Sequence, residues 1–428
     1  MSTGLAVAPP KPLSLPNGRP AADAWSLDPE LLHLNHGSFG AVPVAAQREQ
    51  DRLRERAERA PVVWFPAQPR RISTARAELA AFLRVDADDL ALVPNASAGV
   101  STVLASLTLP PEAEILVTDH GYGAVTMAAQ RTALRCGGRV RTAHIPLAAD
   151  ADEAFTAVAE QVGDRTALIL LDQITSSTGR LLPVERIARL ARRRGIPFLV
   201  DGAHAPGMLA APLDGLACDF WTGNLHKFAC TPRGTSALVA RGPLRAALYP
   251  LIDSWGTQLP FPARFDHTGT QDTSAWLAAP AALSFVERTW GWETVRGYLS
   301  ALADYGQHTV ADAFARHIGQ DAVPAVGTPA PALRLVRLPD ELGPDRFASD
   351  VLRDRAAQEL GAETAFTSFD GVGYIRLSAH VYNTPPIMRS SPSGACLGWW
   401  RGAAPPEPAR APGPAARTAL RTRPRRGR

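Results

Sequence analysis

Between residues 90 and 200 short apolar runs alternate with stretches of helical periodicity. Segments 90–93, 114–117, 140–145, 167–171 and 198–200 read as strands, the last being the most buried in character. Helices are expected from about Ser97 and over 124–134. Strands rich in Leu and β-branched residues, each followed by a helix, imply a parallel sheet covered on both faces. Upstream, a helix is expected from Pro43 to Arg59. Another is expected over 71–83, where Ile72, Leu79, Ala80 and Leu83 share a face. After Thr273 the rhythm changes: helices over 274–289, 292–302, 305–317 and 347–360 accompany strand-like 333–338 and 374–377. The pattern predicts an α/β chain with a large, mainly parallel sheet domain (25–280) and a smaller α+β domain (281–386). A Pro-rich extended arm (1–24) precedes them. A tail (387–428) dominated by Ser, Gly, Pro, Ala and Arg follows, and disorder is expected there. No internal repeat is visible.

Composition narrows the picture. At 428 residues the chain suits two cores better than one. No apolar run approaches the roughly 20 residues of a membrane span, and the first residues lack the apolar centre of a secretory signal. Cys136, Cys218, Cys230 and Cys396 show neither CxxC nor metal-ligand spacing, which fits a reducing cytoplasm without disulfides and gives no case for a metal. The formal charge is +4, yet residues 387–428 hold nine Arg against one Glu, so the chain ahead of them carries −4. Basicity confined to a tail gives no case for a nucleic-acid enzyme.

The strongest local signal is Phe198-Leu199-Val200-Asp201-Gly202-Ala203-His204, followed by Asn224-Leu225-His226-Lys227. An apolar strand ending in Asp places a carboxylate at the carboxyl edge of a parallel sheet, where α/β proteins bind ligands. A pyridoxal 5'-phosphate (PLP) ring needs an acid there to keep its nitrogen protonated, and a lysine nearby to form a Schiff base. Taken singly, a strand-end Asp is commonly a cap and a Lys commonly a solvated side chain. In this order and context they point to PLP.

These two segments resemble the D-x-A-[QH] and S-x-H-K motifs of the class V aminotransferases. The resemblance covers about residues 32–384 and is closest to the isopenicillin N epimerase-like branch. Further matches are Leu34-Asn35-His36-Gly37-Ser38-Phe39-Gly40, Val93-Pro94-Asn95-Ala96-Ser97-Ala98-Gly99-Val100, Asp119-His120-Gly121-Tyr122, Phe261-Pro262-Ala263-Arg264-Phe265, Thr268-Gly269-Thr270, Ile375-Arg376-Leu377-Ser378 and Tyr382-Asn383-Thr384. The resemblance implies the aspartate aminotransferase-like fold (PLP fold type I) and a set of roles. Lys227 carries PLP and moves protons at Cα. Asp201 pairs with the ring nitrogen, and His204 faces the ring's phenolic oxygen. Ala96, Ser97, Asn224 (where the family more often has Ser) and His226 hold the phosphate. Tyr122 stacks on the ring, and Thr175 or Ser176 lies near the cofactor oxygen or the substrate. Arg376 grips the substrate carboxylate, with Asn35 and His36 beside it. Thr270 serves the partner's phosphate site, which implies a homodimer.

Two departures matter. The stretch 363–370, where desulfurases of the family carry a nucleophilic Cys, has none. Relatives continue after the Tyr-Asn-Thr motif into an amphipathic helix, whereas here Pro385-Pro386 and the Arg-rich tail are expected to form none. A change of reading frame in a GC-rich gene would produce such an ending, and resequencing would test it. The branch implies epimerisation at Cα of an amino acid, with Lys227 serving one face and Tyr122, His36 or a water the other. The alternative is a carbon–sulfur β-lyase acting on cysteine conjugates or sulfoxides. A transaminase or a non-catalytic PLP-fold module ranks lower. Apolar residues of the expected pocket, Trp255 included, read more readily as core than as specificity determinants.

Overall fold

The computed structural model describes residues 7–267, 269–318 and 321–389. Seven strands form the main sheet: β1 (Leu90–Val93), β2 (Glu114–Thr118), β3 (Arg139–Ala143), β4 (Thr166–Asp172), β5 (Phe198–Asp201), β6 (Phe220–Asn224) and β7 (Ser236–Ala240), in the order β1-β7-β6-β5-β4-β2-β3. Pairing is parallel from β6 through β3, while β7 runs antiparallel to both its neighbours. The uninterrupted apolar runs follow from two covered faces. One face presents Leu116, Ile169, Leu171, Phe198, Val200 and Trp221. It is covered by α2 (Gln68–Leu83), α6 (Val184–Arg194) and α7 (Ser274–Thr289). The other presents Ile115, Val117, Leu168, Leu170, Leu199 and Phe220 to α3 (Ala96–Ser106) and α4 (Gly123–Arg135). Helices α1 (Val44–Arg59), packed on α7, and α5 (Ala151–Ala159), beside α6, complete the first of these layers.

The smaller sheet is antiparallel, of order β9-β10-β8, with β8 Leu333–Arg337, β9 Ala365–Phe369 and β10 Val372–Ser378. Its apolar side packs Val336, Ile375 and Leu377 against Val310 and Phe314 of α8 (Trp292–Ile318) and Leu352 and Ala356 of α9 (Arg346–Leu360). The N-terminal segment is stitched onto this region. Leu32–His33 pairs in parallel with Ala362–Glu363, and Asn35 bridges to Ser378. Among the described residues no helix is long and apolar enough to cross a membrane.

Three expectations are corrected. The two helices expected over 292–302 and 305–317 are one, because nothing in Ala303-Asp304 breaks a helix and Asp304 is paired with Arg334. The chain also stays structured past 386. Helix α10 (Pro385–Arg389) forms with its prolines in the first turn, where a missing N–H costs nothing. Met388 is 1% exposed and lies over Gly306 of α8 at a spacing that leaves little room for a larger residue there. The remainder of the tail lies outside the described residues. The sheet is mainly parallel as expected, with β7 antiparallel because β6 and β7 close as a hairpin-like pair around the lysine segment. Finally, Trp255 is not core: it is 94% exposed on this chain.

Candidate active site

The parallel order brings the carboxyl ends of β1, β2, β4, β5 and β6 to one edge, and the motif residues gather there. Asp201, the last residue of β5, is buried, and its Oδ1 accepts the Ala203 amide at 2.9 Å. Burial raises its pKa above the usual carboxylate range, opposed by that amide and by Lys227. His204 follows in the turn. Its Nε2 lies 3.0 Å from Lys227 Nζ and 3.2 Å from the Gly37 carbonyl. Burial, Lys227 and Arg376 all push its pKa well down, so the ring is neutral.

Lys227 sits in the turn between β6 and β7, 9% exposed. That turn is fixed from several sides. The Lys227 carbonyl accepts Cys230 N–H at 2.9 Å and faces His36 Nε2 at 3.0 Å. Gly40 passes so close to the His226 carbonyl that a Cβ would lie 1.9 Å from the oxygen. Burial first, then Arg376, lower the Lys227 amine to about 7, against the pull of Asp201 and Asp172. A half-neutral amine beside an acid is what Schiff-base formation needs.

At the amino end of α3, Asn95 caps the helix by accepting Ala98 N–H at 2.8 Å. The Ala96 amide, expected to face phosphate, is directed to Asn224 Oδ1 at 2.8 Å. Asn224 thus fixes the helix end against β6, and Ser97, half-buried, follows in the first turn. His226, mostly buried, turns Nδ1 to the Thr235 carbonyl at 3.2 Å, and burial lowers its pKa to about 4. Tyr122, the residue before α4, is 47% exposed, so its ring is free to meet a ligand.

Arg376 of β10 reaches from the smaller sheet. Its guanidinium donates to the Ser176 carbonyl (2.6 Å) and Oγ (3.3 Å), Asn35 Oδ1 (3.1 Å) and Ser38 Oγ (3.0 Å). All four are neutral acceptors. Nε has no partner among the described residues, and no ion pair reaches this buried cation there. Burial lowers its pKa to about 10.

Two expected site residues, His36 and Thr175, fall elsewhere. His36 is 2% exposed, with Nδ1 on the Tyr382 hydroxyl at 2.9 Å, Nε2 on the Lys227 carbonyl, and its ring stacked on His380 at 4.2 Å. Held this way it braces the lysine turn and does not face a substrate. Thr175 is wholly buried, hydrogen-bonded to Thr178 Oγ1 at 2.7 Å and to the Arg180 amide at 3.0 Å. Thr270, expected at the partner's site, is exposed and lies outside the gathered residues of its own chain. Sequence reasoning did not mark Asp172, and gave no role of their own to Ser38 and Tyr382 within their motifs. Asp172 looked like the polar end of an apolar run, and the other two matter only through contacts more than 300 residues apart in sequence.

The donor set fits PLP. A buried carboxylate without a cation partner among the described residues, a lysine of lowered pKa and a capped helix end converge on one edge. The aminotransferase class-V family model matches residues 68–325. Isopenicillin N epimerase of Streptomyces clavuligerus is 32% identical over 377 residues, covering 84% of this chain and 92% of its own. A probable chloroplastic L-cysteine desulfhydrase of Arabidopsis thaliana is 26% identical over 400 residues, 84% of this chain and 81% of its own. Among solved structures, a C-DES lysine-to-alanine mutant with glycine covalently linked to its PLP cofactor superposes with a TM-score of 0.75. It is 20% identical and covers 88% of this chain and 99% of that one. The chain belongs to the class V aminotransferase family of PLP-dependent enzymes.

Proposed function

We propose that this enzyme acts at Cα of an amino acid with a free α-carboxylate and inverts its configuration, as a cytoplasmic homodimer. The observation that carries the substrate class is Arg376, a buried guanidinium held only by neutral oxygens, with Nε unpaired among the described residues. A substrate carboxylate supplies the missing anion through a two-pronged contact that Arg makes and Lys does not. When bound, PLP supplies the electron sink that makes the Cα proton acidic. Lys227 takes and returns that proton on one face, its amine poised near neutrality. His204, neutral and 3.0 Å from Nζ, orients the amine between turnovers. Inversion needs a second donor on the opposite face. With both His36 nitrogens committed to the scaffold, Tyr122 is the residue left for that role.

The epimerase relative at 32% identity supports inversion over cleavage. The desulfhydrase relative supports the second reading, a carbon–sulfur β-lyase. The two separate after proton removal: one returns a proton to Cα, the other expels a group from Cβ. In D₂O an epimerase places deuterium at Cα of both stereoisomers and forms no keto acid. Stoichiometric pyruvate and ammonia from a cysteine S-conjugate, with no inverted isomer from any amino acid offered, would replace the first reading with the second.

A further inference from the structure

Beside Asp201 lies a second buried carboxyl that the proposed chemistry does not use. Asp172 ends β4 and is the register partner of Asp201 at the end of β5. Register partners leave a sheet on the same face, here at about one strand spacing, ~5 Å. The two side chains are 5% and 2% exposed. Among the described residues neither forms an ion pair. Backbone amides act on both: the Ala203 amide donates to Asp201 Oδ1 at 2.9 Å, and the Tyr122 amide and Asp172's own amide favour the Asp172 carboxylate. The charges acting on Asp172 are Asp201, which opposes its ionisation, and Lys227, which favours it. Asp119 and His120, on the neighbouring loop after β2, are turned instead to the backbone of Ile145.

Two buried carboxyls sharing a single lysine do not both ionise, because like charges at this spacing and burial raise one another's affinity for a proton. Burial and Asp201 together raise Asp172 well above the carboxylate range. Asp201 is also raised, but Ala203 and Lys227 act against its burial. The retained proton therefore sits on Asp172.

We propose that Asp172 is a positioning residue of the cofactor site: it stands as a neutral carboxylic acid beside an ionised Asp201 and, by holding the Tyr122 amide, fixes the aromatic residue at the mouth of the site. The inference rests on the PLP reading. A neutral Asp172 leaves one negative charge for the ring nitrogen. Its grip on the backbone where α4 begins sets the height at which the Tyr122 ring stands over that edge.

Two measurements test it. Infrared spectra of the cofactor-free protein at pH 7 are expected to contain a protonated-carboxyl band that Asp172→Asn removes. This arm needs no cofactor, so it stands even if PLP proves not to bind. Titration of the same proteins with PLP forms the second arm. Asn is neutral and still accepts the Tyr122 amide, so the Kd is expected within about threefold of the parent. Asp172→Ala has no acceptor and is expected to weaken binding about tenfold, as for one lost hydrogen bond. If the Ala protein loses its fold by circular dichroism, the Asn and infrared arms still decide. A carboxyl region left unchanged by Asp172→Asn, or a Kd in that variant raised tenfold or more, overturns the proposal. An Ala protein that is folded and binds PLP as tightly as the parent overturns the positioning role.

Discussion

Lys227 is buried with its amine lowered to about 7, from an ordinary value of 10.5. The unfolded chain therefore binds more protons than the native one between pH 7 and 10.5, and stability of the cofactor-free protein rises with pH through that window. Below about pH 7 the lysine is charged in both states and its cost is fully present. Replacing it with Met should raise the melting temperature of the cofactor-free protein at pH 7 and flatten its dependence between pH 7 and 10. An unchanged slope would place the buried titration on another group. The same substitution should abolish the borohydride-trapped PLP–lysine peptide, and trapping at a different lysine would move the assignment. Arg376→Lys keeps a charge but loses the fork, so KM for α-carboxylate substrates is expected to rise by about tenfold or more. An unchanged KM would move the clamp elsewhere. At this scale the sequence was informative where chemistry is written in adjacent residues, as in Asp201 to His204. It placed His36 beside the substrate, whereas its contacts are decided by Tyr382 and the Lys227 carbonyl.

Among the elements, α3 shows how packing delivers chemistry. Gly99 faces Thr222 of β6 so closely that a Cβ would lie 2.2 Å from Oγ1. The helix can therefore lie low on the sheet, and its amino end meets Asn224. Gly99→Ala should lift the helix from β6 and weaken PLP retention by about tenfold or more, with far-UV circular dichroism unchanged. Retention equal to the parent would show that α3 has room to shift. Asn95→Ala, by removing the cap on Ala98, should cost about 1 kcal/mol in urea unfolding. The strands with Leu and Val in runs were readable from pattern. Strand β6, Phe-Trp-Thr-Gly-Asn, was not, because its Thr, Gly and Asn serve close packing and the site rather than a generic apolar face. Nor could the pattern show that α8 is continuous, since no local residue states where a helix does not end.

For the whole molecule, the exposed apolar side chains are unevenly placed. Tyr249, Leu251, Ile252 and Trp255 cluster along one loop, with Trp255 at 94% exposure, and Thr270 lies on the next segment. A patch of this kind fits a surface covered by a second copy, in keeping with the proposed homodimer. Sedimentation should give a dimer that Trp255→Glu shifts toward monomer. Mixing a Lys227→Ala chain with a Thr270→Ala chain should recover part of the activity, because one hybrid site carries neither lesion. A fully active monomer would refute shared sites. Composition had suggested the opposite for Trp255, since a sequence cannot tell the inside of a chain from the inside of an assembly.

The pairing of Leu32–His33 with Ala362–Glu363 also has a consequence for biosynthesis. His33 and Glu363 touch across 330 residues of sequence, and His36 meets Tyr382 across 346. During translation the first strand leaves the ribosome long before its partner exists, and it must wait without a place in any sheet. Contacts so distant in sequence form late, because closing the loop between them precedes any gain from the contact. The brace behind Lys227 is thus completed only after residue 383 has emerged. A chain released early, even one that includes every residue up to Arg376, would hold the lysine in an unfinished turn. Nascent chains of this enzyme are expected to stay inert toward PLP until synthesis is nearly over.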